Sequence, residues 1–89
     1  DFMRCACFCT ATNYHMKPLL NYLKQKHDAV KSYRDAIHVK DKGDIFYFSY
    51  GCIIFWQLTE IDEKALLNEL KNFEDESLAV STYEAFDYQ

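Results

Sequence analysis

The amino-acid sequence predicts an α+β domain of ferredoxin-like βαββαβ plan, an antiparallel sheet with two helices on one face. Three observations carry that prediction. Residues 2–11 alternate with period two, IFYFSYGCIIFW (45–56) has a hairpin signature, and two leucine stripes recur at helical spacing between the strands.

In the first strand Met3, Cys5, Cys7, Cys9 and Ala11 point one way, and Phe2, Arg4, Ala6, Phe8 and Thr10 the other. Met16, Leu19, Leu20 and Leu23 then mark a helix. Pro18 is tolerated in its first turn, where backbone N–H groups have no intrahelical partner. Asp35–Lys40 offers a short strand through Ile37 and Val39, and Lys40-Asp41-Lys42-Gly43-Asp44 a turn.

The hairpin runs Ile45–Ser49 and Cys52–Leu58 around Tyr50-Gly51, where glycine can take a positive φ. A two-residue turn sets Phe48 opposite Ile53 and Phe46 opposite Phe55 on one side, with Tyr47 opposite Ile54 and Ile45 opposite Trp56 on the other. Both sides are apolar. Thr59 is an N-cap with Asp62 three residues on, and Glu60, Asp62 and Glu63 suit the positive end of a helix. Leu66, Leu67, Leu70 and Phe73 give that helix its buried stripe, and Thr82–Tyr88 reads as the last strand. On this facing Trp56, Ile45, Tyr47, Ile54 and Cys52 lie under the helices with Cys5, Cys7 and Cys9. Phe46, Phe48, Ile53 and Phe55 become the candidate interface.

The 89 residues suffice for one hydrophobic core, so residues 1–89 are expected to form a single domain. The chain lacks an initiator Met, and it reads as a piece of a longer one. Its 17% aromatic content, seven Phe and seven Tyr, is more ring surface than a small domain hides easily, which points to contact with another chain or with a missing part of this one. Ten basic residues against fourteen acidic ones give a net charge of −4, which argues against DNA and other polyanions as partners. No run of 18 apolar residues exists, so a membrane is expected only through segments outside this sequence.

Cysteines at 5, 7 and 9 on one extended strand stand about 7 Å apart, too far for shared tetrahedral zinc or for disulfides between neighbours. They read as small core groups, with Cys52 across the sheet, and four unpaired thiols suit a reducing intracellular compartment. KGDIFYFSY (42–50) is similar to the aromatic RNP1 pattern, but Asp44 and Ile45 break it and burial outweighs base stacking. His15, His27 and His38 are dispersed, and Glu60–Glu63 is explained by capping. No catalytic, metal or cofactor-binding residues are assigned, and an enzyme is not expected.

Some longer stretches carry a family resemblance. Cys9-Thr10-Ala11-Thr12-Asn13-Tyr14 before a leucine-rich helix, Asp35-Ala36-Ile37-His38-Val39, and the block from Gly43 to Trp56 with its D-I-F-x-F-x-Y-G-x-x-x-F-W pattern resemble the required-for-meiotic-nuclear-division (YagE-like) family. The resemblance spans nearly the whole chain and the amino-terminal half of the family domain. It implies a second, largely helical half ending near a membrane-spanning segment, membrane association of the full-length protein and, for the mitochondrial member, support of translation within a larger assembly. It carries over no catalytic residue. The function expected is a non-enzymatic assembly module that acts as a homo-oligomer or against the missing carboxyl-terminal half. An RNA-contacting module and a thiol-based metal or redox domain are the alternatives.

Overall fold

A computed structural model describes the backbone of residues 3–88 and the side chains of residues 4–76. Phe2, expected in the first strand, and the side chains of the expected Thr82–Tyr88 strand lie outside the described residues. The described residues form an α+β fold, with a six-stranded antiparallel sheet, two α-helices and a short 3-10 turn at Lys71–Phe73. In chain order the elements are β1 (Met3–Tyr14), α1 (Met16–Lys26), β2 (Ala29–Ser32), β3 (Ala36–Lys40), β4 (Asp44–Phe48), β5 (Cys52–Trp56), α2 (Glu60–Leu70) and β6 (Glu74–Tyr88). The strands lie in the order β2-β3-β4-β5-β1-β6. β2 has no counterpart in the sequence-based expectation, and β6 begins eight residues earlier than Thr82, because it pairs along β1 as far as Tyr14.

Each helix start follows local chemistry. α1 opens at Met16, which leaves Pro18 in the first turn. At α2 the Thr59 hydroxyl accepts from the Asp62 N–H at 3.2 Å, and Glu60, Asp62 and Glu63 fill the first turn.

The core lies between the helices and one face of the sheet. Leu19 and Leu23 of α1, Leu58, and Leu70 of α2 join Ala6, Ile37, Val39, Ile45, Tyr47, Ile53 and Phe55, with Phe8 and Val30 packed alongside. Phe8 meets Phe55 edge-on at 5.8 Å.

This facing corrects the expected one. Phe48 pairs with Cys52, Tyr47 with Ile53, Phe46 with Ile54 and Ile45 with Phe55, so three residues, Ser49–Gly51, connect the strands rather than two. One extra loop residue moves every β5 side chain to the other face relative to its β4 neighbours. Ile53 and Phe55, expected at the interface, are 0% exposed in the core. Trp56, Ile54, Cys7, Cys9 and Cys52, expected under the helices, lie half-buried on the opposite face. Cys5 shares that face and is buried, yet it stands apart from the helix-side core.

Glycine at 51 is a geometric necessity. Its φ is +88°, and an added Cβ would lie 1.9 Å from the Ala11 carbonyl oxygen. Its own carbonyl accepts from both Thr10 N–H (2.9 Å) and Ala11 N–H (3.4 Å), where β1 shifts register against β6.

Candidate functional site

The face turned away from the helices carries the most distinctive surface chemistry. Reading across the strands, Lys31 stands opposite His38, His38 opposite Phe46, Phe46 opposite Ile54 and Ile54 opposite Cys7. A second row runs Ala36, Phe48, Cys52 and Cys9, and a third Lys40, Asp44, Trp56 and Cys5. Aromatic and aliphatic groups hold the middle of this face, with Lys31 and Lys40 at its β2–β3 edge.

The rings are ordered by one another. His38 lies on Phe46 with centroids 4.6 Å apart and planes 13° from parallel, and Tyr50 lies on Phe48 at 5.3 Å and 23°. Phe46 and Phe48 neighbour at 6.4 Å. His38 Nε2 also meets Asp44 Oδ1 at 2.8 Å, which fixes the imidazole plane against the ring. In each close pair one ring face is already used by the partner. A nucleobase platform needs free faces, so this arrangement suits contact with apolar side chains better than base stacking. Tyr50 is 59% exposed, while Phe46, Phe48, Ile54 and Trp56 are half-buried.

Phe46 and Phe48 are thus the two expected interface residues that the structure keeps on this face. His38, Tyr50, Ile54 and Trp56 join them. The signal that could have found them is SYG itself, since a glycine closing a three-residue loop is a common hairpin connection.

The thiols also depart from expectation. Cys9 and Cys52 face each other across β1 and β5, with Cα atoms 4.0 Å apart, and are joined as a disulfide. Cys5 and Cys7 remain thiols, and burial, then Cys7 and Glu63, push the Cys5 pKa up. Among the described residues no group of three or more His, Cys, Asp or Glu is arranged to hold a metal.

Two polar networks tie the helices down. Glu63, 2% exposed, accepts from Arg4 Nε and Nη2, each at 3.1 Å, so α2 is clamped to β1 by a bidentate pair. Capping explained Glu63 in the sequence, but its carboxylate points into the fold instead. A cavity of about 360 Å³ beside it is lined by Arg4, Phe8, Glu60, Glu63, Lys64 and Leu67. With both carboxylate oxygens engaged, Glu63 is a structural group there rather than a free base. On the other side of the helix layer Glu69 accepts from Tyr22 Oη at 2.8 Å and from Lys26 Nζ. Burial raises the Glu69 pKa, but the bonds from Lys26 and Tyr22 outweigh it and hold the carboxyl below its ordinary value.

The described residues contain no helix long and apolar enough to cross a membrane. No family model and no solved structure matches the chain. A curated relative does: the chain is 31% identical to "Sporulation protein RMD1" of Saccharomyces cerevisiae over 111 aligned positions, covering 85% of this chain. It spans 26% of that relative's length. With that identity over most of its length, the chain belongs to the required-for-meiotic-nuclear-division family.

Proposed function

We propose that this chain is a non-enzymatic assembly module that docks polypeptide on its helix-free face. The observation that carries the reading is the ordered, partly exposed cluster of His38, Phe46, Phe48 and Tyr50, with Ile54 and Trp56 beside it. Apolar groups at the centre and charges at the rim are the anatomy of a protein interface. The chain spans about a quarter of its yeast relative. The occupant in this reading is an apolar segment from the rest of a protein of that length, in place of a second copy. The strand order β6-β1-β5-β4 supports a ferredoxin-like reading of the sheet, to which β2 and β3 add an edge. Membrane association and the mitochondrial translation link belong to this proposal through the family resemblance alone, and an intracellular setting through the thiols of Cys5 and Cys7.

Hydroxyl-radical footprinting tests the reading. In the 89-residue chain Phe46, Phe48, Tyr50 and Trp56 should be modified readily, and in the full-length protein they should be protected. Equal modification in both would remove the docking role. Protection that rises with concentration of the 89-residue chain would replace the proposed occupant by a second copy.

A further inference from the structure

We infer that Cys9 and Cys52 form a reversible thiol–disulfide switch that sets how firmly the docking face is held; the inference rests on the docking reading above. Three placements carry it. Cys9 and Cys52 lie directly opposite each other on neighbouring antiparallel strands, so the bond forms without a change of strand pairing. Cys52 in turn lies directly opposite Phe48, whose ring carries Tyr50. The sulfurs therefore continue the row that begins in the aromatic cluster. Finally, the bond sits where the turn Ser49–Gly51 is held to β1 by a few hydrogen bonds: Gly51 O with the Thr10 and Ala11 N–H groups, and Ser49 O with the Tyr14 N–H. Oxidation adds a covalent tether at the Cys52 end of that turn. The Phe48–Tyr50 stack is then preorganised for a partner, and reduction leaves it on hydrogen bonds alone.

Both residues are half-buried rather than sealed, so a small thiol reaches them. Cys5 by contrast is buried, and its raised pKa keeps the thiol protonated and slow to exchange. The co-reactant is the glutathione couple. One cysteine thiolate attacks glutathione disulfide, giving a mixed disulfide and one glutathione thiolate. The second cysteine thiolate displaces the other glutathione, so the Cys9–Cys52 bond forms as two protons and two electrons leave the protein and two glutathiones are released. Reduction runs the same steps backwards.

The test equilibrates the full-length protein at graded glutathione ratios, traps thiols by alkylation, and maps them by mass spectrometry beside footprinting of Phe48 and Tyr50. The expected result is a titratable Cys9–Cys52 bridge, with Cys5 and Cys7 alkylated throughout. Reduction, or the Cys9→Ser/Cys52→Ser double variant, should raise Tyr50 modification by roughly threefold to tenfold, the scale of releasing one or two immobilised side chains. Alkylation of all four cysteines at every ratio, or a bridge between other cysteines, overturns the switch. Normal titration with unchanged Tyr50 protection also overturns it while leaving the docking reading intact. The docking reading itself fails separately, if Phe46 and Phe48 are as reactive in the full-length protein as in the 89-residue chain at every ratio.

Discussion

The two faces of the central hairpin have similar apolar character and opposite fates. Ile45, Tyr47, Ile53 and Phe55 are at most 2% exposed and pack under Leu19, Leu23 and Leu70. Phe46, Phe48, Ile54 and Trp56 are half-buried on the other face, where Phe46 and Phe48 neighbour each other and stack with His38 and Tyr50. Hydrophobicity does not separate these sets. What separates them is the side on which the helices close, and the three-residue loop that carries Ile53 and Phe55 to that side together with Tyr47 and Ile45. A buried face owes its stability to surrounding atoms on all sides. A ring ladder on an open face owes its order to neighbours within the sheet and keeps apolar area available for a partner.

The widest expected gap between the faces is in truncation. Phe55→Ala should cost about 3–5 kcal/mol by urea denaturation, because the helices cannot collapse onto the vacated volume. Phe46→Ala on the open face should cost about 1 kcal/mol. Equal losses would show that the two faces contribute alike to stability.

Gly51→Ala attacks the loop that sets the facing. A side chain at φ +88°, driven against the Ala11 carbonyl, should cost about 1–3 kcal/mol and lower the melting temperature measured by circular dichroism. A melt like the parent's would show that the three-residue connection is not what fixes the register.

Acid titration of a Glu69 variant probes the helix side. The Glu69 carboxyl is held below its ordinary value of 4.5, so its contribution is complete above that pH and is lost as pH falls through the lower folded value. Glu69→Gln should therefore flatten the stability decline below about pH 4.5 in denaturation curves taken at several pH values. An unchanged decline would place the acid sensitivity elsewhere.

The smallest effect should come from Gln57, which holds φ at 60° just after Trp56. Glycine relieves that left-handed backbone at some entropic cost, so Gln57→Gly should gain ~0.5 kcal/mol in thermal melts. A loss instead would show that the side chain matters to the end of β5.

The elements whose signals are local were legible in the sequence. Thr59 capping, Pro18 in a first turn, the alternation through β1, and the β4 and β5 runs are decided within a few residues by backbone sterics and hydrogen bonding. Phe46 and Phe48 were legible as surface rings, whereas Ile53 and Phe55 were not, since their side depended on one residue of loop length. Nor could one dimension show β2, a four-residue strand without a strong apolar pattern, which exists because β3 offers it a ladder. The Cys9–Cys52 bond and the Arg4–Glu63 clamp join positions 43 and 59 residues apart. Local periodicity fixes which residues share a side of their own element. Which sides meet is decided only when the helices close on the sheet, because burial and pairing free energies belong to contacts between elements rather than to any segment alone.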